Sequence, residues 1–327
     1  GGGGGGGSST AKEEKDFTDL VDGIYEGQAK GHYDTLPYSI KVRVTVSNGK
    51  IAKIELIENK DDQSYFNQDK ADKIAKNIID KQSTKVDTIA GATRSSTGFI
   101  NAVANALEFA GRVKIISQDT DGKNKSILTG KITGQNITVK NLTVNEDLTI
   151  DKQVGDSNVT LENMEIKGNL LIQGGGANTV HLKDVKVNGR TIIEKIGGQK
   201  PRVSVEGQSQ LLGKVEIKQV AILQTTDTVK IENVEIVKAL NSNDEIQIRA
   251  NIGKLDIVSI NANIKVEKGS KIKQVVLPSE VDKFEKGKGR YEKGNFKLVI
   301  EDPSDIEGGT NNKAGEFKFL TNKEISE

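Results

Sequence analysis

The chain has 327 residues, enough for two domains that each bury a core. Its 47 Lys and Arg balance 46 Asp and Glu, so no bulk charge points to nucleic acid or to an anionic membrane surface as partner. It contains no Cys, which excludes disulfides and zinc–thiolate sites, and no apolar run long enough to span a bilayer.

Residues 1–16 open with seven glycines and turn polar and then charged, the composition of a flexible tether. From Phe17 the pattern becomes globular. Ile40, Val42, Val44 and Val46 alternate with polar residues as in a half-buried strand, and Ser47-Asn48-Gly49-Lys50 signals a hairpin turn. Ile51, Ile54, Leu56 and Ile57 form the returning strand, and Ala71, Ile74, Ala75, Ile78 and Ile79 recur at helical spacing. Lys85 and Val86 predict a short strand. A second helix is expected from about Thr97, with Phe99, Val103, Ala106, Leu107 and Ala110 on its apolar face. Together these elements predict a small α+β domain over residues 17–112.

Between the short strand and the second helix lies Asp87-Thr88-Ile89-Ala90-Gly91-Ala92-Thr93-Arg94-Ser95-Ser96-Thr97. The first turn of a helix has free N–H groups and partial positive charge, so a phosphate is stabilised there by both. Gly91 and Ala92 leave room for close approach, Thr93 supplies a hydroxyl, and Ser95 and Ser96 serve either as caps or as phosphate contacts. Spacing alone leaves a second reading open, in which the hydroxyls are plain N-caps after a turn glycine. Aromatic placement adds an independent hint. Tyr25, Tyr33, Tyr38 and Tyr65 are four of the five Tyr, whereas no aromatic residue lies between Ala110 and Lys283. Only the first region can stack on a planar ligand, and Tyr33, beside His32, and the Tyr65-Phe66 pair are its loop-borne ring contacts.

Asp87-x-x-x-Gly91-Ala92-Thr93 resembles the flavin-attachment motif of the FMN-binding domain family, found in subunits of sodium-pumping quinone reductases and related extracytoplasmic electron carriers. The similarity runs from about Asp22 to Ala110 and includes Asp22-Gly23-Ile24-Tyr25-Glu26-Gly27, the run Ile40 to Val46, and Asn48-Gly49-Lys50-Ile51. The resemblance implies FMN as cofactor, joined to Thr93 by a phosphoester bond that a flavin transferase makes from FAD, with Asp87 as the motif acid. The cofactor-binding set expected on both grounds is Thr93, Asp87, Gly91, Ala92, Ser95, Ser96, Tyr33 and Tyr65.

After Ala110 the chain repeats. Val139-Lys140-Asn141-Leu142-Thr143-Val144 aligns with Leu161-Glu162-Asn163-Met164-Glu165-Ile166 and with Leu182-Lys183-Asp184-Val185-Lys186-Val187, and Ile231 to Ile236 is a weaker echo. A period near twenty, built of three short alternating strands, is one coil of a parallel β-solenoid, whose inward residues are buried only by stacking. Asn141, Asn163 and Asn233 are expected at equivalent turns, where Asn tolerates positive φ. Residues 113–281 are therefore read as a right-handed parallel β-helix of roughly seven coils, similar in general pattern to solenoids of bacterial surface proteins. Residues 282–327 are read as a cap, with Phe296, Leu298 and Ile300 in a strand, followed by a mobile tail from Asp302 to Glu316.

The expected function is an extracytoplasmic electron-transfer flavoprotein. The tether resembles the spacer behind a lipidated Cys, here a Cys that the sequence does not include, so the expected place is the cell surface; an added linker is the other reading. Its redox partner would lie in the membrane or outside the cell, and the solenoid would act as a spacer or as a wall that binds a cell-envelope component. Two alternatives stand beside this. One is a structural or adhesive surface protein that binds no flavin. The other is a polysaccharide-acting enzyme using acids such as Asp119, Asp121, Asp151 and Asp156, which solvated turns explain better. His181, on a predicted strand, is assigned no role.

Overall fold

In the computed structural model, which describes residues 11–177, 180–237, 240, 243–281, 290–311 and 315–317, the chain divides into two units, Gly1–Lys114 and Ile115–Glu327. The first is built on a three-stranded antiparallel sheet of β1 (Gly23–Ala29), β2 (Ile40–Ser47) and β3 (Lys50–Asn59), in that order. Asn48 and Gly49 both have positive φ, 55° and 75°, as a two-residue hairpin turn requires. Ile40, Val42, Val44 and Val46 all point to the buried face. Two register shifts in the β2–β3 pairing break the alternation of β3, which is why Ile51 and Ile54 are buried while Ile57 remains 40% exposed.

Two helices supply the rest of this core: α1 (Gln68–Lys81) and α2 (Thr93–Ala106). The Asn67 side chain caps α1 by accepting from the Lys70 N–H at 3.1 Å. Ala71, Ile74 and Ile78 of α1 meet Phe99, Ile100 and Val103 of α2 in one apolar cluster with the inner face of β2. Three expectations are corrected here. Val86 is buried but lies in no strand, because the only β-bridge of that segment is between Asp16 and Ser83. Helix α2 begins at Thr93, a full turn before Thr97, so the hydroxyl-bearing residues lie within its first turn. Residues 11–16, read as part of the tether, are docked: buried Asn101 accepts from the Glu13 N–H at 2.7 Å and donates to the Ala11 carbonyl at 3.0 Å, the Thr84 N–H donates to the Lys15 carbonyl at 2.8 Å, and the Lys15 N–H donates to Thr84 Oγ1 at 2.9 Å. Polar residues hold this segment, so it carries no apolar signal in the sequence.

The second unit is a parallel β-solenoid with two sheets of eleven strands each. Successive coils stack in register, Val139 on Leu161 on Leu182 in one sheet and Leu148 on Leu170 on Thr191 in the other. The repeat seen in sequence is thus a repeat in place, with columns of Val, Ile and Leu filling the interior. The three expected strands are present in the coil of Arg202–Glu206, Gln210–Leu211 and Val215–Ile217, whereas in the repeating coils before it they are two. The first, eight residues long in Ile137–Val144, Val159–Ile166 and Val180–Val187, kinks at Asn141, Asn163 and Asp184, which have φ of 56°, 50° and 54°. Asn163 Nδ2 donates to Asn141 Oδ1 at 2.8 Å, and Asn141 Nδ2 to Asp121 Oδ1 at 3.1 Å, so the kinks are tied into a ladder. Asn233 does not belong to it. Its strand, Ile231–Ile236, lies in the other sheet between Val215–Ile217 and Asn251–Ile257, so the echo there is one of alternation and not of position.

The coils continue beyond residue 281. Phe296–Ile300 pairs in parallel with Asn263–Val266, and Ile306–Asn311, expected as tail, pairs in parallel with Lys271–Val276. Asp302 caps the short 3-10 turn Pro303–Asp305 between them. Each sheet then ends on an antiparallel strand, Arg290–Lys293 on one and Gly315–Phe317 on the other. Residues 318–327, with part of the expected tail, lie outside the described residues. The acids weighed for polysaccharide chemistry are committed to backbone and turns: Asp119 accepts from the Thr138 N–H, Asp121 from the Lys123 N–H, Asp151 from the Gln153 N–H, and Asp156 from Lys195 and the Gln199 N–H. Among the described residues, no helix is long and apolar enough to cross a membrane.

Candidate functional site

The site is built where α2 begins. Its N-cap is Ala92, which has no side chain able to cap, and no acid lies in the first turn. The N–H groups of Thr93, Arg94 and Ser95 have no protein partner among the described residues, so this helix end is left open to an anion. Gly91 turns the chain into it with φ of 81°, and nothing lies within 4 Å of where its Cβ would be. The approach is therefore unobstructed. Thr93, the first helical residue, is exposed.

The reading of Ser95 and Ser96 as caps does not hold. Both side chains turn inward: Ser96 Oγ accepts from the Ile89 N–H at 3.1 Å and fixes the loop entering the helix, and Ser95 Oγ donates to Asp61 Oδ2 at 2.6 Å. Asp61 is 4% exposed and also accepts from the His32 N–H at 2.9 Å and the Tyr33 N–H at 3.3 Å. Burial alone would push its carboxyl up; the Ser95 hydroxyl, the His32 N–H, the Ser39 hydroxyl and the Tyr33 N–H together outweigh burial and hold it below the ordinary carboxylate value. A buried anion thus ties the loop carrying Tyr33 to the start of α2. The two are also in direct contact, since a Cβ on Gly98 would lie 2.7 Å from Gly31 Cα.

This clamp shapes a cleft of about 550 Å³ in which Tyr33, Tyr65, Thr93, Arg94 and Ser95 come together with His32 and Asp62. Tyr33 is 43% and Tyr65 63% exposed, so both present ring surface. Gly91 and Ala92 complete the wall. Of the residues expected from sequence, Asp87 and Ser96 do not line the cleft: Asp87 is exposed on the segment leading to it and Ser96 is buried beneath it. Phe66 is core, its ring tilted at 53° against that of Phe99 with centroids 6.1 Å apart, because the tight turn closed by the Tyr65 and Phe66 N–H groups on the Asp62 carbonyl sends neighbouring rings apart. Tyr38 is engaged elsewhere, donating to Glu58 at 2.9 Å under the Lys60 ammonium. Asp61 and Arg94 were not expected; no local pattern marks a loop acid as buried.

The arrangement offers an anion-binding helix end, a cation, a free hydroxyl and two tyrosine rings in one cleft, the groups that a phosphate-bearing planar cofactor requires. Comparison with known proteins decides which cofactor. Residues 38–108 match the FMN-binding domain family. The FMN-binding domain so defined includes Asp61, Tyr65 and all of α2, while Tyr33 lies just ahead of it, and FMN is its cofactor. The chain is 33% identical over 90 residues to an uncharacterized protein of Treponema pallidum (strain Nichols), covering 28% of this chain and 24% of that protein. It is 35% identical over 89 residues to an NADH:acrylate oxidoreductase of Vibrio harveyi, covering 27% of this chain and 8% of that enzyme. The match to each relative therefore spans a quarter of its length or less. No solved structure matches the chain significantly.

Proposed function

We propose that the FMN-binding domain holds its flavin covalently through Thr93 and that the chain is an extracytoplasmic electron carrier, with the solenoid as spacer or partner-binding scaffold. The observation that carries this reading is the exposed hydroxyl of Thr93 at the first position of a helix whose N–H groups are unengaged, inside a tyrosine-flanked cleft. In the attachment step Thr93 Oγ forms a bond to the flavin-side phosphorus of FAD, the pyrophosphate P–O bond breaks, AMP departs, and the hydroxyl proton is lost to solvent. The open helix end favours the phosphate in place, and Tyr33 and Tyr65 are placed to contact the ring system. The flavin supplies the electron chemistry and the protein its position. That one relative of the domain is named an oxidoreductase supports a redox role. A carrier outside the membrane would lose a diffusible cofactor, and a covalent bond prevents that loss; a lipidated Cys ahead of the glycines would keep the molecule near a membrane donor.

Intact mass and absorbance after co-expression with an FAD-dependent flavin transferase test the attachment. A gain of one FMN less one water, with yellow colour that survives denaturation, is expected for the native chain and for Thr93→Ser. Thr93→Ala should be unmodified. Colour retained by denatured Thr93→Ala, or no modification of the native chain, overturns the reading.

A further inference from the structure

The solenoid has a concavity of its own. Its corners differ in length: residues 226–230 turn the chain between Ile222–Thr225 and Ile231–Ile236, and residues 267–270 between Asn263–Val266 and Lys271–Val276. The coil between these two turns the same corner with one residue, Ala250, between Glu245–Arg249 and Asn251–Ile257. A short corner between two longer ones leaves a notch, of about 250 Å³.

The floor of this notch is fixed. The Ala250 N–H donates to buried Ser270 Oγ at 3.2 Å, the Lys271 N–H to the Ala250 carbonyl at 3.0 Å, and the Asn251 N–H to Thr225 Oγ1 at 2.9 Å. Arg249 and Lys271 both line it, with Ser204, Gln224 and Asn251 beside them and Asp227 at the rim. Gly269 leaves it unfilled, and a Cβ there would lie 3.6 Å from Arg249 Nε. Gln224 Oε1 accepts from Arg202 at 3.2 Å, so its amide N–H groups are the free end. Some cations of the solenoid are paired with acids: Arg190 meets Glu216 at 3.1 Å, Lys214 meets Glu235 at 2.8 Å and Lys200 meets Asp244 at 3.2 Å. Among the described residues, neither Arg249 nor Lys271 has an acidic partner within 4.0 Å, although Asp227 lines the same notch. Two cations without an ion-pair partner on a hydrogen-bonded floor, with Ser204, Gln224 and Asn251 beside them and Asp227 the one acid of the lining, match an oxyanion carried on a hydroxyl-rich chain.

We propose that this notch binds the anionic group of an acidic polysaccharide, with Arg249 and Lys271 on the oxyanion and Ser204, Gln224 and Asn251 on neighbouring hydroxyls. Isothermal titration of the full chain with an oligogalacturonate, a sulfated heparin oligosaccharide, inorganic phosphate and neutral dextran oligosaccharide tests it. One of the two acidic oligosaccharides should bind, and dextran should not. Arg249→Gln and Lys271→Gln should each weaken that binding by about tenfold or more with an unchanged melting temperature, while Lys140→Gln, five strands away in the same sheet, should leave it intact. Failure of both acidic oligosaccharides to bind overturns the proposal, as does equal weakening by Lys140→Gln, which would mark diffuse charge. Phosphate binding as tightly as the better oligosaccharide also overturns it, since the site would then hold a free anion.

Discussion

Asp61 is the residue on which the shape of the flavin cleft depends, because it is buried, charged, and bonded both to the helix that carries Thr93 and to the loop that carries Tyr33. Asp61→Asn keeps the shape and removes the charge, and should destabilise the first unit by about 1–3 kcal/mol. The pH dependence follows from the direction of its shift. A carboxyl held below its ordinary value in the fold contributes stability that is complete above the unfolded value, about 3.9, and is lost as pH falls through the lower folded value. The gap in urea midpoint between native chain and Asp61→Asn should therefore be steady from neutral pH to about pH 4 and shrink below it; a gap that persists to about pH 2 would rule this out. Thr191 is the opposite case. Its side chain is 1% exposed in a column between Leu170 and Val215, and Oγ1 has no partner among the described residues. Thr191→Val keeps the volume and removes an unsatisfied hydroxyl, so it should raise the solenoid's stability by about 1 kcal/mol, read as a higher urea midpoint.

Among the elements, the kinked strands of the solenoid show how one left-handed residue per coil, Asn141, Asn163 or Asp184, bends the strand. The left-handed conformation at Asn163 disfavours any side chain with a Cβ, and Asn offsets this by bonding to Asn141 above it. Asn163→Ala should lose both compensation and bond, about 1–2 kcal/mol, while Asn163→Gly should lose less because the strain goes with the side chain. Equal losses in chemical denaturation would show that the bond, and not the backbone, sets the cost. This element was legible in the sequence because stacking in register forces similar residues to recur at one spacing, as in Val139, Leu161 and Leu182. Helix α2 was legible in its apolar face but not at its start: with Ala92 at the cap there is no side-chain signal to read, and that same absence leaves the helix end open. The cleft was legible in part. Gly91, Thr93, Tyr33 and Tyr65 announce themselves as turn, hydroxyl and loop aromatics, whereas Asp61 acts through burial, which depends on residues 34 positions away and leaves no local trace.

At the scale of the whole molecule, two architectures divide the chemistry between them. The first unit has four of the five Tyr, the open helix end and the hydroxyl; the solenoid has repetition and a notch lined by two cations without an acidic partner among the described residues. The second could be lengthened coil by coil without redesign of its interior, since each coil meets only its neighbours. The first depends on contacts far apart in sequence, such as Glu13 with Asn101, and tolerates no such change.

The placement of the tyrosines has an optical consequence. With no Trp, and with Tyr25, Tyr33, Tyr38 and Tyr65 all in the first unit, four of the five Tyr that give this protein its ultraviolet emission share a unit with the flavin cleft. A bound isoalloxazine would drain that emission by energy transfer, so the intrinsic fluorescence of the unlabelled chain is itself a gauge of how many molecules carry their cofactor.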